Sequence, residues 1–388
     1  MAEDQIKLVK GHVRDVLNDL ADALETGKMG DRPKVGLTIN GSENGFAVME
    51  EAVRLASQKE AFDIVIIGEE QDWTADYEFY EANSEDETAE VLQKLLDDNT
   101  IQGAVTLHHT FPIGVSTVGR VPAQATGKNM YIATTTGTTA TVRAEAMVLN
   151  AINGVIAAKA SGVPNPKVGV LNVDDANTVT RKLKELQENG YDIEFAESGR
   201  SDGGNILRGN DIITGQADVV VCDSLTGNIL MKLYGAGTTG GQYEAIGDGY
   251  GPGIGDGFKD NICIISRASG APVIANALEY AAQLASGDLA QVSADEYSKA
   301  KKAQLDEIRE DLQPKQAAAE EEVAAPDHEV VDKEITGVDV LDLDAAVQSL
   351  WKEGIYAESG MGCAGPIVLV NTAKEDEARE VITESGFI

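Results

Sequence analysis

Basic side chains are scarce in this chain of 388 residues: 31 Lys and Arg stand against 65 Asp and Glu, a formal charge of −34. A surface this acidic repels phosphate backbones, and no local basic patch interrupts it, so nucleic acid is not an expected partner. A small anionic ligand must be held by a local site, not by the overall field. No run approaches the roughly 18 apolar residues that span a bilayer. The N-terminus, Met1-Ala-Glu-Asp-Gln5, lacks the basic and apolar regions of a secretory signal. The cytoplasm is therefore the expected compartment, and a membrane is not an expected partner. Cysteine is sparse too. Cys222, Cys263 and Cys363 form no CxxC pair and are too scattered for a disulfide framework, which directs attention to single thiols. The four histidines make no zinc set. His108 and His109 are neighbours, so on a strand they point to opposite faces; they read as a strand end entering a loop, and no metal is expected. No GxxxxGK[ST] occurs, which excludes a P-loop.

What is present is a globular composition, 43% apolar and 25% charged, with length for two or three domains or for one large α/β domain plus an appendage. Residues 6–25 have apolar side chains at helical spacing, followed by a linker with Gly27, Gly30 and Pro33. From Lys34 short apolar strands alternate with amphipathic helices. Strands are expected at 35–39, 63–67, 103–107, 130–133, 168–173, 191–195, 217–222 and 261–266. Helices are expected at about 45–58, 88–97, 142–160, from an N-cap among residues 174–177 to 188, at 227–234 and within 272–287. Continuous apolar strands between helices predict an open, mostly parallel, doubly wound α/β sheet covered on both faces.

After Gly287 the character changes. Through residue 345 acids outnumber bases roughly three to one. Residues 293–312 read as an exposed charged helix and 313–326, rich in Ala and Glu, as a mobile tether. A small α/β module is expected beyond it, with helices at 343–352 and 374–385 and a strand at 366–371. The expected division is therefore 1–33, helix and linker; 34–287, core; 288–337, acidic helix and linker; 338–388, terminal module.

Gly235-Ala-Gly237-Thr-Thr-Gly240 matches GxGxxG literally, but it follows a helix where the dinucleotide fingerprint requires a strand before it, so it reads as a helix exit. Glycines at every second position from Gly247 to Gly255 permit close backbone approach to a ligand or another subunit, and a flexible loop reads the same way. The run Thr134–Thr141 is a capping or binding segment before a helix. The stretch Ala217–Lys232 says more. A buried strand ends at Cys222-Asp223, and Ser224, Leu225, Thr226, Gly227 and Asn228 lead into a helix. Strand ends of an open α/β sheet hold ligands, and a helix N-terminus offers free N–H groups to an anion. Asn228 and Lys232 share a helix face. Asp223, Ser224, Thr226, Gly227, Asn228 and Lys232 are thus candidate phosphate or acyl-phosphate ligands, with a simple capped helix start as the alternative. Ser266, Arg267 and Ser269, after the next strand, are candidates for the opposite wall of that pocket. Cys222 and Cys263 sit on apolar strands and read as core. Cys363 lies among Gly360, Gly362, Gly365 and Pro366, where open backbone N–H groups can stabilise a thiolate and the oxyanion of a thioester adduct, and is the candidate nucleophile.

Ala217-Asp-Val-Val-Val-Cys-Asp-Ser-Leu-Thr-Gly-Asn-Ile-Leu-Met-Lys232, together with Ser266-Arg-Ala-Ser-Gly-Ala-Pro272, resembles the phosphate acyltransferase family of phospholipid synthesis. That resemblance implies a sheet of the isocitrate dehydrogenase/phosphate acyltransferase-like type. There are departures: Ser224-Leu225 replace the family's Gly-Phe, and Asn40-Gly41-Ser42 replace its Asp- and Gly-Gly-containing loop, which argues against a long acyl chain. With its tail, Glu358-Ser-Gly-Met-Gly-Cys363-Ala-Gly-Pro-Ile-Val-Leu-Val370, the chain resembles the family of alpha subunits of component C of glycine/sarcosine/betaine reductase complexes. The resemblance implies an acetyl thioester on Cys363, transfer to inorganic phosphate to give acetyl phosphate, a ketoacyl-synthase-like beta subunit and selenoprotein component A as partners, and no cofactor. A stand-alone phosphate acyltransferase and a non-catalytic scaffold subunit remain the alternatives.

Overall fold

Lys34–Thr38 (β1), Phe46–Ser57 (α1), Asp63–Gly68 (β2), Glu78–Glu81 (β3), Glu85–Asp97 (α2) and Gly103–Thr106 (β4) open the fold. They belong to a computed structural model that describes residues 32–59, 61–201, 203–313, 323–339, 342–362 and 365–388, without the side chain of Met361. The expected helix at 6–25 lies outside the described residues. Next come Val115–Pro122 (β5), Asn129–Thr138 (β6), Arg143–Ala160 (α3), Lys167–Leu171 (β7), Ala176–Glu188 (α4), Glu194–Phe195 (β8), Ile206–Leu207 (β9), Gly209–Thr214 (α5), Val219–Val221 (β10) and Ser224–Ala236 (α6). Gly251–Gly255 (β11), Ile262–Ile264 (β12), Ala271–Ser286 (α7), Leu289–Lys302 (α8) and Leu305–Asp311 (α9) complete the core. Lys333–Thr336 (β13), Leu343–Lys352 (α10), Ala357–Gly362 (β14), Gly365–Val370 (β15) and Glu375–Glu384 (α11) make the terminal module.

The core is a mixed, mostly parallel sheet in the order β3-β2-β1-β4-β12-β11-β5-β6-β10-β7-β8, with β9 beside β7. Helices cover both faces, so the fold is α/β. The antiparallel pairs are β12–β11, β11–β5 and β5–β6. Three reversals separate β12 from β10, so these two strands run in opposite senses and their C-terminal ends face opposite sheet edges. β11 occupies the glycine run that read as a loop or a ligand approach. A Cβ at Gly251 would lie 1.7 Å from the Val118 carbonyl oxygen and one at Gly253 would lie 2.3 Å from the Phe111 ring. The alternating glycines therefore let neighbouring strand backbone and an aromatic ring close in.

Helix α3 is buried along nearly its whole length, as a helix apolar on all sides must be. Its polar side chains are satisfied inside: Asn153 donates to the Ser116 hydroxyl at 3.0 Å and the Ile254 carbonyl at 2.8 Å, and accepts from Tyr297 at 2.7 Å. Tyr297 belongs to α8, which corrects the expectation of an exposed charged helix there. The charged groups of this region are matched by partners in the core. Glu296 accepts from Tyr191 at 3.0 Å and pairs with Lys159 at 3.0 Å, Glu145 pairs with Arg309 at 2.8 Å, and Lys182 pairs with Asp311 at 2.6 Å. Leu289, Ala300, Leu305 and Ile308 join the main apolar cluster.

The terminal module builds its own three-stranded sheet, β13-β15-β14, backed by α10 and α11. It rests against α4, where Asn177 donates to the Val338 carbonyl at 3.4 Å and Arg181 donates to the Gly386 carbonyl. No helix among the described residues is long and apolar enough to cross a membrane.

Candidate functional site

The apolar strand β10 delivers Cys222 and Asp223 to one sheet edge, and the turn after it starts α6. Asp223 caps that helix. Its carboxylate accepts from the Thr226 amide at 3.0 Å and the Thr226 hydroxyl at 2.7 Å. Burial opposes the charge on Asp223, but the Thr226 hydrogen bonds and the nearby Arg143 outweigh it, holding its pKa below the ordinary carboxylate value. Gly227 is a packing requirement: a Cβ there would sit 1.8 Å from the Thr134 carbonyl oxygen, so α6 lies directly on β6. Asn228 donates to the Thr135 carbonyl at 3.2 Å, which ties the helix to the same strand. Most of the Thr134–Thr141 run is therefore the end of β6. Its Thr139 reaches the Ala146 carbonyl at 2.9 Å and Asn150 at 3.1 Å.

Arg143, the first residue of α3, is the cation of this edge. It lies 3.2 Å from Asp174, 3.7 Å from Asp175 and 3.6 Å from Asp223. Asp175 also feels Asp339 of the terminal module. Burial first, and then that like charge, push its pKa up despite Arg143. The module thus docks at the edge where Asp223 and Ser224 stand.

Lys232 lies two turns further along α6, about 12 Å from Ser224 at 1.5 Å per residue. There it faces the buried carboxylate of Glu244 at 3.9 Å and stands over the Tyr250 ring at 5.4 Å. Glu244 accepts from the Tyr250 hydroxyl at 2.7 Å and the Ser269 hydroxyl at 3.0 Å. Ser269 is itself buried and also receives the Ser266 amide at 3.1 Å. The structure therefore links Lys232 to Ser269 through Glu244, sends Arg267 to Glu85, and leaves Asp223, Ser224, Thr226 and Gly227 at the opposite edge. The single pocket expected from sequence is two groups joined by the length of α6, because β10 and β12 run in opposite senses.

Arg267 lines a crevice of about 300 Å³ with Thr38, Asn40, Thr106, His108 and Glu85, and pairs with Glu85 at 2.9 Å. This crevice sits between the ends of β1 and β4. The chain passes from β1 to β2 on one side and has β4 on the other, so this is a topological switch point, where open α/β sheets take ligands. The loop after β1 is fastened to the loop after β12: the Glu43 amide donates to the Arg267 carbonyl at 2.9 Å and Asn44 to the Ser269 carbonyl at 3.2 Å. His108 and His109 do leave a strand end, and burial lowers the pKa of His109.

Arg143 and Glu244 escaped the sequence reading. Arg143 directly follows the threonine run, a helix-start position, but a lone cation there looks solvated. Glu244 lies in a glycine-rich stretch, and its burial depends on Tyr250 and Ser269, neither of which is a periodic partner.

Cys222 and Cys263 are fully buried, and burial drives both thiols far up from their ordinary pKa. Cys363 lies outside the described residues. On either side of it, β14 and β15 pair antiparallel, with Gly360 opposite Ile367 and Gly362 opposite Gly365. Gly360, Gly362 and Gly365 are thus strand residues.

A family model described as a fatty acid synthesis protein matches residues 33–369. The alpha subunit of component C of the glycine/sarcosine/betaine reductase complex of Peptoclostridium acidaminophilum is 51% identical over 383 residues, which cover 98% of this chain and 99% of that one. A phosphate acyltransferase of Thermotoga petrophila is 28% identical over 236 residues, covering 52% of this chain and 67% of that one. Among solved structures, a branched-chain phosphotransacylase from Enterococcus faecalis V583 is 16% identical, covers 65% of this chain and 99% of its own, and has a TM-score of 0.47. The chain belongs to the fatty acid synthesis protein family and, within it, to the alpha subunits of component C of glycine/sarcosine/betaine reductase complexes.

Proposed function

We propose that the chain accepts an acetyl group as a thioester on Cys363 and transfers it to inorganic phosphate, releasing acetyl phosphate. In the transfer a phosphate oxygen attacks the thioester carbonyl. The new C–O bond forms, the C–S bond breaks, and the Cys363 sulfur leaves as a thiolate that is ready for the next acetyl group. The covalent stage splits one hard transfer into two easier ones.

The observation that carries this reading is the burial of the other two thiols. A thiolate is the nucleophile, and a sulfur walled into an apolar core neither ionises nor meets substrate. Of the three cysteines, only Cys363 is then left to hold an acyl group. The match to a component C alpha subunit also runs through the tail as well as the core. Inorganic phosphate is assigned to the edge of Lys232, Arg267 and the Ser266–Ser269 hydroxyls. Glu329 and Asp332 belong to the module through Lys374 and Thr372, so the stretch from Gln313 to Glu329, about sixteen residues, spans at most ~55 Å; in this reading the module leaves α4 to bring Cys363 to the phosphate. In this reading the chain works in the cytoplasm in a component C assembly with a ketoacyl-synthase-like beta subunit and receives its acetyl group by way of selenoprotein component A.

The test is turnover of the assembled complex with Cys363→Ser. Acetyl phosphate formation is expected to vanish while the melting temperature is unchanged. Retained turnover would assign the acyl thiol elsewhere. A further deletion of residues 338–388 separates this reading from a stand-alone acyltransferase, which would remain active.

A further inference from the structure

A cavity of about 720 Å³ lies apart from the candidate site, between α4, the segment around β9 and the terminal module. Four cations line it. Arg181 and Lys184 stand one turn apart on α4, and Arg200 and Arg208 flank the start and end of the segment that carries Ile206. No basic run in the sequence marks them, because a helix and a separate loop supply two each. The acids among the described lining residues are Glu185 and Glu188, and Glu185 pairs with Lys182 at 2.8 Å. In a chain with 65 acids and 31 bases, a cavity with twice as many cations as acids reverses the overall balance and points to an anionic occupant.

The chemistry of the walls narrows that occupant. Three of the cations are guanidiniums, whose forked N–H donors match phosphate oxygens two at a time. The volume is more than twice that of the crevice at Arg267, too large for phosphate alone and within the range of about 300–1,000 Å³ typical of organic ligands. Ile206 and Ile388 supply apolar surface. A Cβ at Gly203 or Gly204 would meet nothing within 4 Å, so bare backbone borders open space where a flat ring can lie. The walls also come from both folded units. Gly337 and Ile388 belong to the module, and Arg181 itself donates to the Gly386 carbonyl. An occupant therefore touches more protein when the module is docked than when it is free, and binding favours the docked state.

We propose that this cavity binds a nucleoside diphosphate or triphosphate, with its phosphates on Arg181, Lys184, Arg200 and Arg208, and that the bound nucleotide clamps the terminal module onto α4. Binding and clamping stand independently of the acyl chemistry assigned to Cys363. A further consequence, that the nucleotide slows acetyl phosphate formation, rests on the departure of the module from α4 proposed above.

Isothermal titration of the full chain with ADP is expected to show saturable binding that weakens as salt is added. Lys184→Glu reverses one charge of the cluster and Arg208→Gln removes another. Each is expected to weaken ADP about tenfold or more, with unchanged circular dichroism. ADP is expected to slow amide hydrogen exchange around Val338 and Gly386 in the wild-type chain and to leave it unchanged in Lys184→Glu at the same concentration. No ADP binding at millimolar concentration overturns the proposal. So does binding indifferent to both substitutions, or binding that leaves exchange in the module unaltered. Pyrophosphate or inorganic phosphate that binds as tightly as ADP overturns the assignment to a nucleotide. ADP that binds and slows exchange but leaves turnover of the assembled complex unchanged contradicts the departure of the module during catalysis and upholds the site.

Discussion

At the level of single residues, the candidate site rests on carboxylates that act as fasteners. Asp223 caps α6, and Asp223→Ala is expected to lower stability by about 1 kcal/mol in urea unfolding, the usual cost of a lost N-cap. Its folded pKa lies below the unfolded value, so its contribution is present above the unfolded pKa and fades as pH falls through the folded one. The wild-type advantage over Asp223→Asn should therefore shrink in acid; an advantage that grows in acid would contradict the capping role. Glu244 fastens the other edge. Glu244→Leu leaves the Tyr250 and Ser269 hydroxyls without their acceptor and is expected to cost about 2–3 kcal/mol. A loss below experimental error in the same urea titration would mean that the two hydroxyls find other partners.

The elements differ in how plainly they are written in the sequence. Apolar strands such as Asp63–Gly68 and amphipathic helices such as Ala176–Glu188 can be read from periodicity alone, as can the helix and the closing strand of the terminal module. β5 cannot. It is buried on both faces, but Ser116, Thr117 and Arg120 stand where apolar residues would signal a strand, and they are satisfied only by distant partners, Asn150, Thr135 and Asp248. β11 is half glycine, since its neighbours need the space its side chains would take. α8 reads as solvated because its acids are visible in the sequence while the core bases that meet them are not. The candidate site was legible by residue but not by grouping: Asp223–Lys232 and Ser266–Ser269 both lie at strand ends, and only the reversals through β11, β5 and β6 reveal that these are opposite ends. The seating of α6 gives a sharp test. Gly227→Ala overpacks the helix against the Thr134 carbonyl and is expected to cost about 1–3 kcal/mol, perturbing the amide signals of both α6 and β6. A neutral Gly227→Ala would mean that α6 sits further from the sheet.

For the molecule as a whole, two folded units meet at a junction with like charges across it. Asp175 of the core faces Asp339 of the module, and its folded pKa is raised. A carboxyl with a raised folded pKa binds more protons docked than free, so docking strengthens as pH falls through that pKa and weakens as pH rises. Asp175→Asn removes the charge and is expected to tighten docking at neutral pH, seen as slower hydrogen exchange around Val338; faster exchange would mean that Arg143 dominates the junction. The central claim concerns Cys363 as the thiol that carries the acetyl group. Peptide-resolved mass spectrometry of the assembled complex, incubated with acetyl phosphate and quenched in acid, tests it most directly. The account predicts one acetyl group on the peptide containing Cys363 and none on those containing Cys222 or Cys263. An unmodified Cys363 peptide under conditions where the complex turns over would contradict it.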